Sequence, residues 1–421
     1  MKTKEFFLCI ISILLTLVAL EGVLRLINYP KPPQYGWHEI VPSTSHSEPR
    51  GTKIRILLLG DSNATVGSPG KLLAEALNSK ANQISNDDKV CGTLPILREN
   101  HPIGPETLFE VDTLGAGGWG QDQELLYLER LVKNQKYDLI LLWFTPENDL
   151  WNNAFPTDRG GVPPTFTVNR VAKPTFVLDK NGQLKQVPKK DILYRLLYSN
   201  YKLYTLLLRA VNRVAELLGY TGFMADADQY WYENFISKYK APGLEELQDA
   251  NLNQSLIRRE FTPDEFEKIN PYSIRDSITY DKFHFVIAAD PSSNAIKYMV
   301  DLTRALVVEI ELTATRSGSD FATFWYDASK TLQPLYPMDG IYNINGIDVK
   351  IVSSAMLKRL NEIFTGINHA SIVLKTPEWR QPENDPHLTM NANINLMQLI
   401  ANCLKRAPDD LKQGARSLHH G

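Results

Sequence analysis

An α/β protein built on a parallel sheet is the fold class this sequence predicts, and three observations carry that expectation. Strand-length apolar runs alternate with helix-period segments between Lys53 and Phe144. The first and third of these runs, Lys53 to Leu59 and Tyr137 to Phe144, are almost continuously apolar, as in strands covered on both faces. The segments joining the strands have the length of single crossover helices, which implies parallel pairing with right-handed connections.

Taken in order, the chain starts with Met1-Lys2-Thr3-Lys4 and an apolar stretch from Phe6 to Leu20 broken only by Ser12 and Thr16. Glu21 and Arg25 follow at i,i+4 spacing, where they can pair. With this flank the segment reaches the roughly 20 residues that span a bilayer. No small-x-small cleavage site stands at a suitable distance, so residues 1–28 are expected to form an uncleaved membrane anchor. Lys2 and Lys4 put the N-terminus on the cytoplasmic side and the bulk of the chain in the periplasm or outside the cell. Residues 29–52 hold Pro30, Pro32, Pro33, Pro42 and Pro49 and read as an extended tether.

Residues 53–150 are expected to be the first part of the core. A helix over 71–77 is entered through Ser68-Pro69-Gly70, and a polar loop runs to about Pro105. A second strand is predicted from Thr107 to Leu114, and a helix from Gln121 to Val132 with Leu125, Leu128, Leu131 and Val132 on one face. Residues 151–283 are expected to be a mainly helical insertion capping the cleft, including one long helix over 191–218. The second part of the core, 284–408, should contain a helix over 294–313 and a strand over 320–326. It continues with a hairpin turning at Asn345-Gly346, a helix over 354–364, a short strand over 371–374 and a last helix over 390–404. Residues 409–421 are a tail.

With 45 basic and 48 acidic residues the chain has no electrostatic footprint for nucleic acid. Of the 3 cysteines, Cys9 sits in the apolar segment, and Cys91 and Cys403 are either bridged or two buried thiols. The histidines show no metal-ligand spacing, and neither metal nor cofactor is expected.

Chemistry is expected where the first strand ends in Gly60-Asp61-Ser62. A hydroxyl at the carboxyl end of a sheet strand is a candidate nucleophile if a base and oxyanion donors converge on it. Three further stretches stand at strand ends or a helix start: Gly115-Ala116-Gly117-Gly118-Trp119-Gly120, then Pro146-Glu147-Asn148-Asp149, then Asn384-Asp385-Pro386-His387-Leu388-Thr389. In this order they resemble the four blocks of the SGNH (GDSL-type) hydrolases, in the bacterial membrane-anchored branch associated with exopolysaccharides. Three departures stand out: Thr113 replaces the usual asparagine, Pro146 the usual glycine and Ala392 a frequent glycine.

The resemblance implies a three-layer α/β/α sandwich with a parallel sheet, of flavodoxin-like order. It also implies Ser62 as nucleophile and His387 as base, oriented by Asp385. The oxyanion donors would be the Ser62 and Gly118 N–H groups and the Asn148 amide, with Gly117 and Gly120 as other candidates for the glycine. The implied activity is hydrolysis of an O-acyl ester, with O-acetyl as the expected group, through an acyl-enzyme. Given the expected outward address, the substrate would be an acylated carbohydrate. An O-acyltransferase with the same residues, or a non-catalytic glycan-binding protein, stays open, as does the oligomeric state. Trp119, Trp151 and Trp379 lie near the blocks and would stack on sugar rings or pack in the core. Gly115-x-Gly117-x-x-Gly120 is also a formal dinucleotide fingerprint, but its acidic partner at the right spacing, Asp138, starts a strand rather than ending one.

Overall fold

The run Lys53-Ile-Arg-Ile-Leu-Leu-Leu-Gly60 becomes a central strand because residues of both parities are apolar, so it can be covered on two faces at once. In the computed structural model of the protein the described residues are 3–27, 29, 53–79, 91–92, 94, 103–104, 106–146, 149–154, 175–187, 202–203, 206, 286–290, 292, 294–326, 341–344, 347–372 and 387–405. Their strands are β1 (Lys53–Gly60), β2 (Leu108–Gly115), β3 (Leu139–Trp143), β4 (Thr175–Leu178), β5 (Leu184–Val187), β6 (Ala289–Asp290), β7 (Asp320–Tyr326), β8 (Ile341–Ile344), β9 (Ile347–Ile351) and β10 (His369–Ile372). The helices are α1 (Thr3–Leu26), α2 (Pro69–Asn78), α3 (Gln121–Leu131), α4 (Asp149–Ala154), α5 (Asn294–Arg316), α6 (Ser353–Phe364) and α7 (Met390–Leu404).

Five parallel strands form one sheet in the order β10-β7-β3-β1-β2. Counting only these strands and starting from β2, the order is 2-1-3-4-5, the flavodoxin-like arrangement, whose ligand crevice opens where the winding reverses between the first and third strands. Register sharpens that geometry. Gly60 lies opposite Gly115 on one side and Trp143 on the other, so three strands end level.

Side-chain parity divides the core in two. Ile54, Ile56 and Leu58 of β1 pack with Leu73 of α2 and with Leu396, Met397 and Ile400 of α7. Leu57 and Leu59 pack on the other face with Leu125 and Leu128 of α3, Leu302 and Leu306 of α5, and Leu360 of α6. Helices therefore cover both faces of the sheet. Cys91 and Cys403 are bridged, with Cα atoms 5.3 Å apart, which joins the segment between α2 and β2 to the end of α7.

Outside the main sheet, β8 and β9 pair antiparallel with Ile344 opposite Ile347; the expected turn residues, Asn345 and Gly346, lie outside the described residues. β9 also pairs with β6. Buried Arg359 of α6 donates to the carbonyls of Ile287 (2.6 Å) and Ala289 (2.5 Å), fastening this small sheet to α6. Helix α5 runs three residues past the expected Thr313 and stops before Gly318, whose φ of 83° is in the left-handed region.

Two expectations are met only in part. Within 151–283, expected to be mainly helical, the described residues include an antiparallel hairpin, β4–β5. It is held to α5 by a hydrogen bond from the Leu178 N–H to the Tyr298 hydroxyl (3.2 Å). Of the helix expected over 191–218, only 202, 203 and 206 are described, and these are helical.

The second concerns residues 1–28. A helix does form, but among the described residues no helix is long and apolar enough to cross a membrane. The membrane-spanning anchor, and the membrane contact that came with it, is therefore unsupported. Glu21 ends the apolar stretch and pairs with Arg25 (2.7 Å) as its spacing predicts. Its carboxylate also accepts the backbone N–H groups of Lys202 (2.9 Å) and Leu203 (2.7 Å), which ties the end of α1 to that segment.

Candidate active site

The level ends of β1, β2 and β3 bring the first two blocks and the start of the third to one sheet edge. Immediately after Gly60 the chain turns. The Asn63 N–H donates to Asp61 Oδ1 (2.8 Å), and the Ser62 carbonyl accepts the N–H groups of Thr65 (3.1 Å) and Val66 (2.8 Å). The Asp61 carboxylate thus bridges across residue 62, fixing a tight strand-to-turn corner that leaves Ser62 half-buried.

Gly115 is glycine because β2 ends against that corner. A Cβ there would lie 2.2 Å from the Gly60 carbonyl oxygen. Gly118, the residue expected to supply an oxyanion donor, has φ 73°, where a side chain is strained. Gly120 begins α3 against α4, and a Cβ there would meet Asn153 Oδ1 at 2.5 Å. Thr113 does not reach the loop. Its Oγ1 lies 2.1 Å from where a Cβ of Gly70 would stand, so it faces the start of α2.

Asn148 lies outside the described residues, but both sides of its turn are visible. Thr145 donates its N–H to Asp149 Oδ2 (2.8 Å), and its carbonyl accepts the Asp149 N–H (2.9 Å). The Thr145 hydroxyl accepts from Asn63 Nδ2 (3.2 Å), which ties the residue just before the third block to the residue just after the first. His387 is half-buried and stands three residues before α7, whose N-cap Thr389 accepts the Ala392 N–H (3.2 Å). This segment meets the Ser62 corner through Asn393, whose Nδ2 would be 2.8 Å from a Cβ at Gly67. Asp385 lies outside the described residues.

Beneath the corner is a buried polar layer that pattern reading of the sequence passed over. Asp61, Asp122, Glu124 and Asp149 are 0–1 % exposed, with Gln121, Gln123 and Asn153 among them. Burial first, then the charges of Asp61 and Asp122, pushes Glu124 well above the usual carboxylate range. For Asp149 the causes are burial, then Asp61, then Glu124. Their signal in the sequence is four polar residues, Gln121 to Glu124, in the first turn of an otherwise apolar-faced helix. At a helix start such residues read as solvent-facing, and only the packing of α3 against α4 and α5 encloses them. Among the described residues no group of three or more His, Cys, Asp or Glu is arranged to hold a metal ion.

Two rival readings meet the geometry. Asp138 Oδ2 accepts the Arg55 N–H (2.7 Å) at the amino-terminal end of β3, across the sheet from Gly115 to Gly120, so it cannot serve a ribose bound at the glycine loop. Trp119 is fully buried and stacked on Tyr127 (4.6 Å between centroids), a core residue rather than a sugar platform. The Trp151 side chain and Trp379 lie outside the described residues. Compared with known proteins, the chain matches no family model, no curated protein and no solved structure.

Proposed function

We propose that the protein is a serine esterase of the SGNH type, with the three-layer, flavodoxin-like fold of that family. Ser62 attacks the carbonyl carbon of an O-acyl ester while His387, oriented by Asp385, takes the hydroxyl proton. The tetrahedral oxyanion is held by the N–H groups of Ser62 and Gly118 and the Asn148 amide. Collapse expels the alcohol with the proton from His387, and water then releases the acid from the acyl-enzyme.

The single observation that carries this reading is register. Gly60 stands opposite both Gly115 and Trp143, so the strands that lead to the serine corner, to the glycine loop and to Asn148 end level at the switch point of the sheet. An O-acetyl ester on an extracytoplasmic carbohydrate is the substrate class we favour. The Cys91–Cys403 bridge fits that address, since disulfides persist in oxidising compartments.

The decisive experiment is hydrolysis of p-nitrophenyl acetate, followed by acetate release from acetylated polysaccharides. Ser62→Ala should abolish both with an unchanged melting temperature, and Asn148→Ala should lower kcat by about 100- to 1,000-fold. Full activity in Ser62→Ala would refute the mechanism. Product analysis with a sugar acceptor beside water separates hydrolysis from acyl transfer.

A further inference from the structure

We infer that Asp149 and Gln121 are positioning residues that clasp the nucleophile corner, the glycine-loop helix and the oxyanion turn into one rigid unit. This inference rests on the esterase reading.

Six residues form a continuous hydrogen-bonded chain that joins the corner after β1, the turn after β3 and helices α3, α4 and α5. Asn63, one residue after the nucleophile, donates to the Thr145 hydroxyl (3.2 Å). The Thr145 N–H donates to Asp149 Oδ2 (2.8 Å), and the same oxygen accepts Gln121 Nε2 (2.7 Å). Gln121 Oε1 in turn accepts Asn153 Nδ2 (2.6 Å), which also donates to Thr303 of α5 (3.0 Å). Asp149, Gln121, Asn153 and Thr303 are all 0 % exposed, so the chain is shielded from competing water. Its far end is anchored in a 23-residue helix, and its near end is at the corner carrying Ser62.

The placement explains why the clasp matters for turnover. An amide that stabilises an oxyanion works only if it is held before charge develops, because reorganising it during the reaction forfeits the gain. Thr145 and Asp149, which are hydrogen-bonded to each other, flank Asn148 in the chain. Since Asp149 Oδ2 receives both hydrogen bonds and Oδ1 makes none among the described residues, an asparagine can keep both with its single oxygen. The clasp thus needs an acceptor at that point rather than a negative charge.

That separates a positioning role from a merely structural one. In the wild-type chain and in Asp149→Ala, Asp149→Asn and Gln121→Met, kcat and KM for p-nitrophenyl acetate are measured beside the melting temperature. Asp149→Ala should lower kcat by about 100-fold, the scale of a 1 Å misplacement, with KM within about twofold of wild type. Asp149→Asn should restore kcat to within about threefold of wild type, and Gln121→Met, which keeps volume but loses the donor, should cost about tenfold.

If Asp149→Ala and Gln121→Met both keep wild-type kcat, or Asp149→Asn is as slow as Asp149→Ala, the inference is overturned while the esterase reading stands. If Asp149→Ala does not fold, the contrast between Asp149→Asn and Gln121→Met decides it by the same criteria. A wild-type chain without ester hydrolysis, or an active Ser62→Ala, overturns the esterase reading and the clasp with it.

Discussion

Substituting Gly115 with alanine tests the claim that close backbone approach sets the geometry of the site. The added Cβ would stand 2.2 Å from the Gly60 oxygen and 3.0 Å from both the Gly60 carbon and the Asp61 oxygen. Ordinary contact begins near 3.4 Å, so 3.4 minus 2.2 leaves 1.2 Å of displacement to be found. None of these neighbours is a side chain that can rotate away. Gly60 is the last residue of β1, paired with β2 and β3, so the displacement falls on the corner carrying Ser62. Overpacking of this kind costs roughly 1–3 kcal/mol of stability. A shift of that size at the reacting group lowers kcat/KM by about 100-fold. The assay is p-nitrophenyl acetate hydrolysis beside thermal melting, with Gly104→Ala as control, since a Cβ there meets nothing within 4 Å. Activity within about threefold of wild type at an unchanged melting temperature would refute the reasoning, because a displaced corner must cost rate.

The remaining predictions concern stability. Opening the Cys91–Cys403 bridge with reductant, or in the double serine variant, frees a loop of 312 residues and should cost roughly 2–5 kcal/mol in urea unfolding. No change on reduction would mean that the two thiols are not joined in solution. Glu124 and Asp149 are raised by burial, so the folded chain holds protons that the unfolded chain releases, and stability falls as pH rises above the ordinary carboxylate range through their folded values. Glu124→Gln should flatten that decline in melting temperature as pH rises above the ordinary carboxylate range, and a slope equal to wild type would contradict the assignment.

Local chemistry made most of the sheet legible. β7 and α7 fall on the expected residues, and β1, β2, β3 and α3 lie within one or two residues of theirs, because near-continuous apolar runs and a one-sided apolar helix each suit one environment. At the N-terminus the apolar run implies a helix, and one forms, but the bonds from the backbone amides at 202 and 203 to Glu21 are contacts that no spacing in the sequence reveals. The β4–β5 hairpin was missed because four-residue strands carry little periodicity, and their pairing depends on docking against Tyr298.

By itself the sequence determined the class of the fold, the strand that ends in Ser62 and the glycines demanded by tight corners. Those follow from interactions a few residues long. Only the tertiary structure decided that Gly60, Gly115 and Trp143 lie side by side, that Cys91 meets Cys403, and that Asn63, Thr145, Asp149, Gln121 and Asn153 share one buried chain of hydrogen bonds. The physical reason is that a polar side chain looks the same in sequence whether water or a buried partner satisfies it. Burial removes water as a partner, and which groups replace it depends on strand order and register.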